Sequence, residues 1–304
     1  MPSSAMVEPL TRHKPDPIPA IHPLPERLAR GRRQAFYEDT KAVLQVPWMG
    51  VVTMAFAHYP RFYETLWTGL RPLAASAPFV AACGQLRSRA EDWAAALEPA
   101  PIGAALSERG YDAGEIAEIR ALIEVFSHGN MPYLLIATQA RLLLAGRALS
   151  TEMAAPAFAG RHGPEPGRAL TLIEPHHADE SLAALYADIR TTLGLPFVNT
   201  DYRALARWPS YLALAWADLR TRIGTEPYEA AVGAVHQEAM RLASTLPNPG
   251  GLSAETLRAA AEADGSAVAI SETVALFQWL LPGLVTNVAF LRAQITAPAT
   301  SASA

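Results

Sequence analysis

Residues 47–84 of this chain recur at 196–233. At an offset of 149, Pro47, Ala55, Ala57, Pro60, Trp67, Leu70, Arg71, Pro78, Ala81, Ala82 and Gly84 each meet an identical residue, and Trp48 meets Phe197. Eleven identities in thirty-eight positions exceed what an Ala-rich composition gives by accident, so the chain reads as an internal duplication. Apolar residues at three- and four-residue steps, with few β-branched runs, make each copy helical. The expectation is an all-α protein of two tandem helical repeats related by a pseudo-two-fold axis and joined by a Pro-rich linker, with any active site between the repeats.

The punctuation of the sequence sets the boundaries. A Pro-rich N-terminal arm covers 1–28, repeat 1 covers 29–148, a linker covers 149–178, repeat 2 covers 179–295, and a small polar tail, expected to be disordered, covers 296–304. The arm is expected to lie extended on the body or to be disordered. Helices are predicted near 28–45, 47–58, 60–72, 77–97, 102–109 and 113–147. Asp112 with Glu115 forms a capping-box pattern ahead of the last of these, and Asp179 with Ser181 marks the start of the second copy.

The copies differ where it matters. Asp201 stands in Leu195–Pro209, a stretch predicted to be one short helix from Pro196, with Phe197, Val198, Ala204 and Leu205 on its face. Its partner at the offset is Val52, ringed by Trp48, Met49, Ala55 and Phe56. One copy treats the position as core and the other puts a carboxylate there. Burying that charge unpaired costs several kcal/mol, roughly, or raises its pKa. A second polar intrusion is Asn130, beside Phe126, Tyr133 and Leu134 on a long helix that Pro132 should kink. Its approximate counterpart is Leu280. Asn130 is alternatively a cap for backbone groups freed by Pro132. If the apolar faces of the repeats meet, Asp201 and Asn130 converge in one cleft.

Composition excludes several classes. The 304 residues carry a net charge of −4 with no basic run, which gives no reason to expect nucleic acid or an anionic membrane as partner. The longest apolar run, Trp279 to Leu291, is interrupted by Pro282, Thr286 and Asn287 and reads as too short to span a membrane. The single cysteine, Cys83, excludes an internal disulfide, reads as core, and fits a reducing cytoplasm; the first thirty residues have no apolar signal-peptide core. His128 reads as a polar-face or satisfied core histidine. His176 and His177 are adjacent, their side chains are expected to diverge, and no residue at ligand spacing suggests a metal. No nucleotide-binding loop, zinc motif or nucleophile elbow is present. A carboxylate and a carboxamide in an apolar pocket suit a general base acting on water.

With Val46-Pro47-Trp48 in the first repeat, Asn130-x-x-Tyr133 on a long helix and Asp201 in the second repeat, nearly the whole chain resembles the group I 2-haloacid dehalogenases, which accept both D and L enantiomers. The resemblance implies a cofactor-independent hydrolase and a homodimer. Asp201 would deprotonate a water held with Asn130, and that water would attack C2 of a short 2-haloacid and displace halide with inversion, without an ester intermediate. Trp48 would wall the pocket, with Val51, Tyr133, Asn199 and Phe277 also at the substrate, and Thr200 with nearby backbone N–H groups would hold the substrate carboxylate. Val51 stands where the family often has Phe, and Asn199-Thr200 where it often has Ala-Ser. The departures at 51, 199 and 200 also allow a hydrolase of another small carboxylic acid, and a third reading is a non-catalytic small-acid binder or helical scaffold in which Asp201 faces water at a helix start.

Overall fold

A computed structural model describes residues 10–165 and 170–296. Among these residues there are twelve α-helices and no strand. The first half holds α1 (Gly31–Leu44), α2 (Val51–Phe56), α3 (Pro60–Ala74), α4 (Ala77–Ala95), α5 (Gly103–Glu108) and α6 (Ala113–Leu144). The second holds α7 (Glu180–Leu193), α8 (Thr200–Leu205), α9 (Pro209–Arg222), α10 (Glu226–Thr245), α11 (Ala254–Ala263) and α12 (Ala267–Thr296). The starts of α1, α2, α3 and α4 reappear 149 residues later at α7, α8, α9 and α10.

Individual bonds recur at the same separation. Trp67 Nε1 donates to Asp39 Oδ2 at 2.8 Å and Arg71 Nε donates to the same oxygen at 2.7 Å. In the second half Trp216 Nε1 donates to Asp188 Oδ2 at 2.7 Å, and Arg220 pairs with Asp188 at 3.1 Å. Each clasp ties the first helix of its half to the third. Tyr37 Oη donates to Leu24 O at 2.9 Å, and Tyr186 Oη to Ile173 O at 2.8 Å.

The long helices α6 and α12 share the most extensive contact, and α4 and α10 pack against both. The capping box at Asp112 and Glu115 starts α6, and Asp179 caps α7. Helix α6 runs on through Pro132, as α12 does through Pro282. Cys83 is buried in the core on α4. The arm from residue 10 lies on the body: Arg12 Nε donates to Trp279 O at 2.9 Å, and Leu24 N to Met54 O at 2.9 Å. The linker is a strap rather than a free loop. Ala77 N donates to Pro156 O at 2.8 Å, Phe158 N to Ala75 O at 2.9 Å, and Asn248 N to Glu152 O at 2.7 Å.

Four local expectations need correction. Helix α8 starts at Thr200, not Pro196, because Asn199 keeps an extended backbone (φ −60°, ψ 154°); Trp48 and Phe197 therefore lie ahead of their helices. Helix α12 is far longer than its uninterrupted apolar run: its 30 residues hold an 18-residue stretch of mean hydropathy 1.7, long and apolar enough to cross a membrane, but 89% of that stretch is buried in this protein. It also includes Thr296, expected to open the tail; 297–304 lie outside the described residues. The rings of His176 and His177 do not diverge but lean together, centroids 4.1 Å apart.

Candidate active site

The short helix α8 carries Asp201 in its first turn, and α6 brings Asn130 to it from the other half. Asn130 Nδ2 donates to Asp201 Oδ1 at 2.7 Å. Both side chains are enclosed, at 4% and 3% exposure, which removes the alternative of a helix-start Asp facing water. The Asn130 amide is spent on the carboxylate rather than on capping backbone freed by Pro132. Burial pushes the Asp201 carboxyl up to about 6, although the Asn130 hydrogen bond, its own backbone N–H and the Arg203 charge pull it down. A carboxylate made basic by desolvation and still ionised near neutrality suits proton abstraction.

Beside it is a cavity of about 30 Å³, lined by all eight residues named from sequence: Trp48, Val51, Asn130, Tyr133, Asn199, Thr200, Asp201 and Phe277. That is room for roughly one water, and the polar groups a water needs are present. The lining also includes Gly50, Val52, Phe197, Leu280, Leu281 and Leu284. Leu281 and Leu284 escaped sequence analysis, although with Phe277 and Leu280 they repeat at the spacing of one helix face.

The walls are braced. Trp48 packs edge-to-face on Phe126 and Tyr133, at 5.0 and 5.9 Å between centroids. Tyr133 Oη donates to Trp48 O at 2.7 Å, so Tyr133 offers the cavity its ring and keeps its hydroxyl for the backbone. A Cβ on Gly50 would stand 2.9 Å from that ring, which explains the glycine. Thr200 Oγ1 accepts from Arg203 Nη2 at 3.2 Å, and Asn199 Oδ1 is buried without a partner. Trp48, Val51, Phe197 and Thr200 also border an open groove of about 2190 Å³, so these four side chains stand between the cavity and the groove. His128 stays outside, its Nε2 3.1 Å from Leu44 O. Among the described residues no group of three or more His, Cys, Asp or Glu is placed to hold a metal ion.

Known proteins are similar to this chain along most of its length. The chain is 46% identical over 241 residues to an (R)-2-haloacid dehalogenase of Rhizobium sp. (strain NHG3), covering 79% of this chain and 93% of that protein. The chain belongs to the 2-haloacid dehalogenase family. It is thus a hydrolase of the class that cleaves carbon–halide bonds. A second family member, the (R)-2-haloacid dehalogenase of Pseudomonas putida, is 35% identical over 90% of this chain and 92% of its own. A configuration-inverting 2-haloacid dehalogenase of Pseudomonas sp. (strain 113) is 27% identical over 62% of this chain and 63% of its own. The solved structure of a D-2-haloacid dehalogenase mutant with D-2-CPA superposes with a TM-score of 0.82 at 33% identity, covering 91% of this chain and 96% of that one. No family model matches.

Proposed function

We propose that the protein hydrolyses short-chain 2-haloalkanoic acids of (R) configuration by direct attack of an Asp201-activated water at C2. Asn130 holds the carboxylate and offers its Oδ1 to the same water. As the water oxygen bonds to C2, the carbon–halogen pair leaves with the halide and the water's proton passes to Asp201. Backside attack inverts C2 and yields a 2-hydroxy acid, halide and a proton. Trp48, Val51, Phe197 and Phe277 exclude bulk water, while Thr200 and Asn199 meet the substrate carboxylate. The observation that carries this proposal is the 2.7 Å Asn130–Asp201 bond beside a water-sized cavity. The (R) preference is narrower than the two-enantiomer expectation from sequence and is supported by the names of the relatives at 46% and 35% identity. We also take the recurring helices as an ancestral duplication, and the working form as a cytoplasmic homodimer.

Halide release from (R)- and (S)-2-chloropropionate tests the assignment, with release expected from (R) and (S)-lactate as product. Equal release from both would restore the two-enantiomer view, and none from either would end the haloacid assignment. Single turnover in heavy-oxygen water places the label in the product; label in the protein would replace direct attack by an ester route.

The base must be ionised to act. Below about 6 Asp201 is protonated, so kcat/KM rises with pH through that value and levels off above it. A pH–rate profile with no acid limb near 6 would remove Asp201 as the base.

A further inference from the structure

The polar residues around α8 come as a set. Thr200, Asp201, Arg203 and Glu174 stand where the first half, 149 residues earlier, has Val51, Val52, Met54 and Pro25. The backbone is held alike in both places, since Leu24 N donates to Met54 O and Ile173 N to Arg203 O, each at 2.9 Å. Helix α2 itself carries no charge, and the nearby carboxylate of the first half, Glu26, is engaged differently: it accepts from Met49 N at 2.8 Å and pairs with Lys41 at 2.7 Å, with no cation on the helix. Asp201 has a use as the base. Glu174 and Arg203 need another explanation than the fold.

Their geometry supplies one. Arg203 Nη1 donates to both Glu174 oxygens at 2.7 and 2.8 Å, and Nη2 donates to Thr200 Oγ1 at 3.2 Å. Arg203 and Glu174 border the groove, and Thr200 borders groove and inner cavity alike. A hydroxyl whose oxygen accepts from a cation turns its own proton away from that donor and becomes a stronger donor itself. The proton of Thr200 is then left for an acceptor in the groove or the cavity that it borders. Arg203 Nε is enclosed with no acceptor, so protein groups do not saturate the guanidinium. A haloacid also brings a second carboxylate close to Asp201. With its side chain only 17% exposed, Arg203 stands two residues from Asp201 and pulls the Asp201 carboxyl down, although Glu174 neutralises much of its charge.

Resting on the dehalogenation proposed above, we infer that Glu174 and Arg203 are positioning residues that aim the Thr200 hydroxyl at the substrate carboxylate. Glu174 fixes Arg203, Arg203 fixes Thr200, and Thr200 meets the acid. The arm thereby selects 2-halo compounds that carry an anionic carboxylate.

The test separates binding from turnover. In an Asp201→Asn background, calorimetry measures binding of (R)-2-chloropropionate with Thr200→Val, Arg203→Met and the two combined. Each single change is expected to weaken binding about ten-fold, the scale of a hydrogen bond to a charged group. The pair is expected to be no weaker than the worse single change, because Arg203 acts through Thr200. Additive losses, or binding unaffected by Arg203→Met, overturn the arm. In the active enzyme Arg203→Met raises KM more than it lowers kcat, Arg203→Lys recovers part of the loss, and the acid limb of the pH profile moves upward once the cation near Asp201 is gone. If Arg203→Met fails to fold, Arg203→Lys and Glu174→Gln carry the same test: a KM unchanged in both overturns the arm. Failure of the haloacid assignment shows separately, as no halide released by the unaltered protein.

Discussion

Asp201→Asn protein is expected to release almost no halide from a 2-haloacid and, above pH 6, to melt at a higher temperature than the unaltered protein. Loss of a general base removes about 10²–10⁴ of the rate. The gain in stability follows from linkage. Burial raises the carboxyl from 3.8 to about 6 in the folded protein, so the fold binds its proton more tightly than the unfolded chain does. The stability this contributes is fully present below about 4 and is lost as pH rises through about 6, where the carboxylate ionises against its surroundings. A shift of this size corresponds to about 3 kcal/mol. Asn cannot ionise and escapes that loss, while Asn130 Nδ2 can still donate to it. Melting curves at pH 4 and pH 8 with a halide assay check both halves of the expectation, with the melting difference confined to the higher pH. A variant that stayed active would show that Asp201 is not the base, and one that melted lower at pH 8 would show that its ionisation does not burden the fold.

Gly129→Ala is expected to reverse the usual sign of that substitution. Inside a helix Ala is favoured over Gly by about 1 kcal/mol. Here the added Cβ would stand 2.3 Å from Trp48 Cη2, 2.9 Å from Cζ3 and 3.0 Å from Val46 Cγ1. The Trp48 ring cannot retreat, because Phe126 and Tyr133 pack on it and it is already buried. Overpacking of this kind costs about 1–3 kcal/mol. Since Trp48 lines the cavity, KM for the haloacid should change as well. Gly84→Ala on α4, where a Cβ meets nothing within 4 Å, is the control and should stabilise. Chemical denaturation of both variants decides the matter; a Gly129→Ala protein more stable than the original would mean that Trp48 is loosely held.

The Asn130–Asp201 pair was legible in sequence because it breaks a pattern, whereas the residues around it came from the family resemblance. Val52 opposite Asp201, and Leu280 opposite Asn130, expose two polar groups that propensity and periodicity do not call for. Once apolar faces of two helical halves are required to meet, those groups have one place to go, and α6 and α8 take them there. Less legible was anything decided by backbone torsion or by tertiary context. Pro196 suits a first helical turn, yet the extended backbone at Asn199 delays α8 until Thr200. Pro282 costs about 3 kcal/mol in an exposed helix, yet α12 continues through it because nearly everything around it is buried. Gly129 looks like a weak point in α6, whereas its missing Cβ is the space that Trp48 fills. Arg203 looks like an ordinary surface charge until it is set against Met54.

The Trp–Asp–Arg clasp has a consequence for how such a site can change. Asp39 and Asp188 each hold an indole and a guanidinium, and neither clasp lies among the residues that line the cavity. Each half thus has its own anchorage, independent of the other's experiments. The second half carries the buried Asp201 on α8, while the first has an uncharged helix, α2, 149 residues earlier. A chain built this way can revise the chemistry of one half while the other serves as ballast.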